Sequence, residues 1–190
     1  MKLLKSLLFL LPLLPLACSS ADPGNNKTIR YVALGDSYTI CEGASEKESW
    51  PVILTQHLNE KNIAVKLIAN PSRTGYTTQN LINIELPVFD KSDAGFVTLC
   101  IGVNDWVQGV DSGTFHKKLN FIIDHVQKKL ADKSKVLLLT IPDFSVTPGG
   151  KYFGSPADVK AGLQGFNSII MREAKNRNLP CVDLFPLSLE

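Results

Sequence analysis

A chain of 190 residues with 44% hydrophobic content can bury one proper core and falls within the size of a single domain. Of its 20 basic residues, Lys2 and Lys5 sit in an N-terminal leader, and the 18 that remain are balanced by 18 acidic ones. A near-neutral chain excludes a basic nucleic-acid-binding surface, and no partner of that class is expected.

The leader comes first in chain order. Lys2 and Lys5 precede "LLFLLPLLPLA", an apolar run of signal-peptide length, followed by small residues around Cys18. Pro12, Pro15 and the shortness of the run set it apart from a spanning helix, which needs about 20 apolar residues. Residues 1–17 are therefore expected to be a signal peptide, and the protein to be exported. "LPLACSS" resembles the lipobox of bacterial lipoproteins, with Pro15 where those signals prefer leucine. That resemblance implies a lipidated Cys18 and a membrane tether. The alternative is ordinary cleavage after Ala17 or at Ser19-Ser20-Ala21, leaving a soluble periplasmic or secreted protein. Residues 18–28 then read as a polar tether, and residues 29–190 as the domain.

Within the domain, short apolar segments alternate with longer amphipathic ones. Strands are expected at "IRYVALG" (29–35), "AVKLIAN" (64–70), "AGFVTLCIG" (94–102), "KVLLLTI" (135–141) and "PCVDLF" (180–185). Most are continuous rather than alternating in polarity, as strands covered on both faces are. Between them, Ser49 is placed to cap a helix that opens with Trp50-Pro51 and runs to about Glu60. A second helix is expected from about Thr78 to Leu86. In the third, Phe115, Leu119, Ile122, Val126 and Leu130 form one apolar stripe, with Lys117, Asp124 and Lys128 facing away. A fourth spans about Ser155 to Asn176, with Ala161, Phe166, Ile169 and Ile170 inward. Strand and helix in alternation imply right-handed crossovers and a parallel sheet, hence a three-layer α/β/α sandwich with a flavodoxin-like order.

Besides Cys18 there are Cys41, Cys100 and Cys181. One disulfide with a thiol left over fits an oxidising compartment, and spacing does not choose the pair. Three buried thiols are the default expectation. None of them shows metal-ligand spacing, and neither a metal nor a cofactor is expected.

In open parallel sheets ligands bind beyond the carboxyl ends of the strands. The loops there are "GDSYT" after the first strand, "NPSRTGYTT" after the second and "GVNDW" after the third. A serine nucleophile needs an exposed hydroxyl, a base for its proton, and donors aimed at the developing oxyanion. Ser37 stands at a strand end that can hold its hydroxyl rigidly. Its own N–H, the N–H of Gly75 and the amide of Asn104 supply three donors. Gly75 lets a ligand oxygen approach the backbone, and Asn104 offers two N–H groups without a charge. Asp36, Asp105 and Asp143 are read as structural carboxylates, and Tyr38, Trp50, Tyr76 and Trp106 as candidates to line a cleft.

These blocks, in this order and each after a strand, resemble the GDSL, or SGNH, family of serine ester hydrolases. The matching residues are Gly35-Asp36-Ser37, Gly75 and Gly102-Val103-Asn104-Asp105, and "ESWPVIL" and "IPDFSVTP" resemble segments of bacterial members. The resemblance implies the SGNH hydrolase fold and hydrolysis of a carboxylic ester of a small molecule, glycan or lipid. It implies Ser37 as nucleophile and Ser37, Gly75 and Asn104 as oxyanion hole.

One block of that family, Asp-x-x-His after the last strand, has no counterpart before Glu190. His116 and His125, nine residues apart on one helix, lie about 180° apart around its axis and cannot share a site. His57 falls toward the end of the first helix, away from the carboxyl edge. The expectation is a chain truncated before its general base and its last helix, with one sheet face left bare and little or no esterase activity. The competing reading is a non-catalytic binding module on the same scaffold, for a glycan or a flavin phosphate. No Walker-type or dinucleotide glycine pattern accompanies it.

Overall fold

Every strand runs parallel to its neighbour in a five-stranded sheet of order β2-β1-β3-β4-β5. The strands are β1 (Ile29–Gly35), β2 (Val65–Ala69), β3 (Phe96–Cys100), β4 (Val136–Leu139) and β5 (Cys181–Val182). This computed structural model describes residues 28–188. The expected signal peptide 1–17, Cys18 and all of the tether but Thr28 lie outside the described residues.

The strand order is the flavodoxin-like one, and its direction reverses between β1 and β3. A crevice opens at the carboxyl ends of two parallel strands where their crossovers leave to opposite faces. Here the strand ends flanking that crevice are Gly35 and Cys100.

The faces of the sheet follow from alternation along β1. Val32 and Leu34 join a large core with Leu119, Ile122 and Val126 of α6 (Ser112–Lys129) and Leu163, Phe166 and Ile170 of α7 (Pro156–Asn176). Tyr31 and Ala33 face the other way, toward Leu54 and Leu58 of α2 (Trp50–Glu60). The buried Tyr31 hydroxyl is satisfied at 2.7 Å by Thr98 Oγ1, and burial pushes its pKa up.

Both long helices start where their caps dictate. Asp111 accepts the N–H of Thr114, and Ser155 accepts that of Asp158 ahead of Pro156 in the first turn. All five residues of the expected stripe, Phe115 to Leu130, are buried. On α7, Ala161 is exposed rather than inward, and Val159 and Leu163 take the core positions. A shift of two residues turns a helical side chain by about 200°, which converts a core position into a solvent one.

The second helix runs further than expected. α3 (Thr78–Asn80) continues through a π-helical turn, Leu81–Glu85, into α4 (Leu86–Asp90). Pro87 removes an N–H and reads as a stop. The wide turn instead places it in the first turn of α4, where a missing donor costs nothing. Leu81, Leu86 and Phe89 all reach the core by this route.

The last strand is shorter than expected. Only Cys181 and Val182 pair with β4. Asp183 turns the chain by accepting Thr140 Oγ1 at 2.8 Å and the N–H of Phe185, and α8 (Leu184–Leu187) follows. Among the described residues the three cysteines are free thiols; Cys100 is buried, while Cys41 and Cys181 are only half-buried.

Cover on the α2 face thins away from β1. Phe96 and Leu137 are half-buried and Val182 is exposed.

Asn167 ties α7 to the carboxyl end of β4. Its Oδ1 accepts the N–H of Ile141 at 2.7 Å and its Nδ2 donates to the carbonyl of Ile141 at 2.8 Å, all buried. Replacement by leucine strands both backbone groups, and each orphaned buried group costs about 1–3 kcal/mol. Asn167→Leu is expected to destabilise the chain by about 2–5 kcal/mol in urea unfolding. A loss below about 1 kcal/mol would show that water replaces the amide.

Candidate active site

Gly35 ends β1 where no side chain fits. A Cβ there would lie 2.1 Å from Thr39 Oγ1 and 2.3 Å from the carbonyl oxygen of Cys100. The chain then turns at Asp36, whose buried carboxylate accepts the N–H of Tyr38 at 3.0 Å and caps α1 (Ser37–Ile40). Ser37 is therefore the first residue of a short helix anchored on the sheet edge. Its side chain is half-buried, and among the described residues neither its hydroxyl nor its N–H finds a hydrogen-bond partner.

α1 closes at Cys41, a left-handed position (φ 57°) whose N–H bonds back to the Ser37 carbonyl. A left-handed conformation is one that glycine adopts most readily, and here Cys41 holds it. Cys41 Sγ in turn accepts the N–H of Trp50 at 3.2 Å, and the Trp50 indole donates to the Tyr38 carbonyl at 2.9 Å. Trp50 thus braces the turn that carries Ser37.

The second loop is hydrogen-bonded to this one, and the third to the second. Asn70 Nδ2 donates to the Thr39 carbonyl at 3.2 Å, and Thr74 Oγ1 to Glu42 Oε2 at 2.8 Å. Gly75 follows with φ 81°, and a Cβ built there meets nothing within 4 Å. Its backbone therefore borders open space, and no acceptor among the described residues takes its N–H. From the third loop, α5 (Val103–Val107), Asn104 Nδ2 donates to the Tyr76 carbonyl at 2.9 Å. One of its two N–H groups is thus spent fixing the amide plane, and the other is free. Asp105 is buried and accepts both the N–H of Thr78 at 2.8 Å and its hydroxyl at 2.5 Å, tying α5 to α3. Trp106 packs edge-on against Phe144.

Beneath the three loops lies a bed of buried acids. Burial pushes Asp36 up to about 7, against the pull of the Tyr38 N–H. Glu85 is pushed up to about 8 by burial, and Asp105 is raised for the same reason. Tyr38 is raised to about 12 by burial and by Asp36. Asp143, at the end of β4, is also buried and accepts the N–H of Ser145 at 2.8 Å. Glu85 carried no signal in the sequence: a lone glutamate in an amphipathic segment reads as solvated, and only the π-helical turn aims it inward.

All three histidines are engaged or directed elsewhere. His116 meets Glu173 at 2.7 Å and Asn120 at 2.9 Å, His125 meets Asp90 at 2.8 Å, and His57 is exposed on α2. Fanned around the helix axis, His116 and His125 bind different neighbours, as their spacing requires.

A flavodoxin-like sheet with polar loops from β1, β2 and β3 gathered at its switch point defines a doubly wound α/β protein whose ligand crevice falls at those loops. The model of the GDSL-like lipase/acylhydrolase family matches residues 33–190, and the chain belongs to this family. Among solved structures it is similar to TesA, with 19% identity over 83% of this chain and 79% of that one, at a TM-score of 0.67. It is also similar to the psychrotrophic esterase EstA from Pseudoalteromonas sp., with 18% identity, 81% and 76% coverage and a TM-score of 0.61. The extracellular lipase from Streptomyces rimosus gives 18% identity, 84% and 81% coverage and a TM-score of 0.62. At these identities the structural likeness speaks for the fold. No curated protein matches the chain. Family membership supports a hydrolase of ester bonds.

Proposed function

We propose that this protein is a carboxylic ester hydrolase in which Ser37 is the nucleophile and the N–H groups of Ser37 and Gly75 with the Asn104 amide form the oxyanion hole. The observation that carries the reading is the set of uncommitted donors. One Asn104 N–H is fixed on Tyr76 while its other is free, and the Ser37 and Gly75 N–H groups lack acceptors among the described residues.

Ser37 Oγ attacks the ester carbonyl carbon as its proton passes to a base. The C–O double bond becomes an oxyanion that accepts these donors, and the alcohol leaves with a proton as the acyl-serine forms. Water then repeats the sequence and releases the acid. His116 and His125 are held by partners elsewhere and His57 is exposed on α2, so with these histidines alone the chain is expected to hydrolyse esters slowly unaided. Exogenous imidazole supplies a mobile base, and an imidazole-assisted aryl acetate assay on the wild type and Ser37→Ala tests the nucleophile.

The oxyanion hole has its own test in the same assay. Asn104→Ala is expected to lower the Ser37-dependent rate about 100 to 1,000-fold, the usual cost of one such donor. A rate within about threefold of wild type would remove Asn104 from the hole.

A second reading, a non-catalytic binding module on this scaffold, is favoured by the Ser37 hydroxyl having no partner among the described residues. It predicts no Ser37-dependent increment. We further propose export with lipidation of Cys18. Metabolic labelling with a tritiated fatty acid that persists in Cys18→Ala would sink the lipid anchor.

A further inference from the structure

Glu85 is a buried acid beside Ser37's loop that the proposed chemistry leaves unused. It is fully buried, and its Oε2 accepts the N–H of Gly35 at 2.9 Å. Its Oε1 is buried with no partner among the described residues. Thr39 Oγ1, buried and likewise unpartnered, lies against the same glycine from within α1.

Gly35 is two residues before Ser37 and has no side chain of its own to fix its position. Its N–H sits on the strand end where the ladder stops, and a buried donor there needs an acceptor. Glu85 supplies it across 50 residues of sequence, and the π-helical turn Leu81–Glu85 is what directs the carboxyl inward. π-Turns are uncommon and gather at functional sites.

The charge state follows from the surroundings. An ionised carboxylate buried with one oxygen unpaired is strongly disfavoured. The charged groups that face Glu85 are Asp36, which repels a second negative charge, and Arg73, which attracts one. Arg73 is exposed and donates its guanidinium N–H to the carbonyl of Ser72 rather than to Glu85. A proton on Oε1 adds a donor to a pocket in which Thr39 Oγ1 has no partner.

We propose that Glu85 is a positioning residue for the nucleophile loop, holding the Gly35 N–H as a neutral carboxylic acid. Its meaning for catalysis rests on the reading of Ser37 above, but its test does not. The folded-state pKa, raised to about 8 from 4.5, gives the sign. The folded chain binds an extra proton between those values, so this group's contribution to stability falls as pH rises through that window.

The test compares the full chain with Glu85→Gln and Glu85→Ala. At pH 6 the wild type is expected to show stronger protonated-carboxyl infrared absorption than Glu85→Gln by one group, since Asp36, raised to about 7, contributes to both. Between pH 5 and 9 the wild type is expected to lose more stability in urea than Glu85→Gln, which keeps a neutral acceptor at every pH. Exchange of the Gly35 amide is expected to be about tenfold faster in Glu85→Ala than in Glu85→Gln, relative to Leu34. The proposal is overturned if protonated-carboxyl absorption at pH 6 is equal in wild type and Glu85→Gln, or if the two share one pH slope. If Glu85→Ala does not fold, the infrared and pH comparisons with Glu85→Gln decide alone. Failure of the imidazole assay would leave these results untouched, so the two readings fail separately.

Discussion

Imidazole is expected to raise aryl acetate hydrolysis by this chain at least about tenfold above the sum of the protein-only and imidazole-only rates, and Ser37→Ala is expected to erase that increment. The physical reason is that Ser37 presents, at the end of the first strand, a hydroxyl unpartnered among the described residues, while the two partnered histidines are bound elsewhere. Removing the base of a serine hydrolase costs about 10⁴ to 10⁶ in turnover. A diffusing base recovers only part of that, because it lacks the effective concentration of a tethered one. An increment that persists in Ser37→Ala would mean that the ester is attacked elsewhere, and would sink the nucleophile assignment.

Gly35→Ala is expected to destabilise the chain by more than about 4 kcal/mol, or to prevent folding. The added methyl would overlap both Thr39 Oγ1 and the Cys100 carbonyl. Thr39 could rotate, but the carbonyl belongs to β3, hydrogen-bonded into the centre of the sheet. Relief must therefore come from moving the strand end itself, and with it Ser37 and the Gly35–Glu85 contact. Urea unfolding measures the effect, and a loss below about 1 kcal/mol would show that this strand end yields without cost. Thr39→Ala added to Gly35→Ala is expected to recover only part of the loss, since the backbone clash remains.

The general frame of the site was legible before the structure. Continuous apolar strands read as a sheet covered on both sides, and Ser37, Gly75 and Asn104 each fall in a loop after such a strand. Their hydrogen-bonded loops do meet at the switch point of the sheet. The helical stripe from Phe115 to Leu130 was legible for the same reason: its period matches the helix, and burial on one face is all the pattern encodes.

What local pattern misread was set by partners remote in sequence. Pro87 signals a stop, yet the chain carries its helix past it, because a π-helical turn lets Leu86 and Phe89 keep their places in the core. "PCVDLF" is apolar enough for a full strand, but β4 offers pairing for two residues before Asp183 is captured by Thr140. The inward-turned Glu85 is the clearest case, since neither its identity nor its spacing separates it from a solvated surface acid.

By itself, then, the amino-acid order determined the layers, the parallel sheet and the three loops that carry the proposed chemistry. These depend on periodicity, turn residues and the chain direction of each strand, all of which are local. Only the tertiary structure decided which polar groups are shared and which stay free. It committed one Asn104 N–H to Tyr76, Asp105 to Thr78 and Glu85 to Gly35, because a buried hydrogen bond needs two partners, and packing brings the second from elsewhere in the chain.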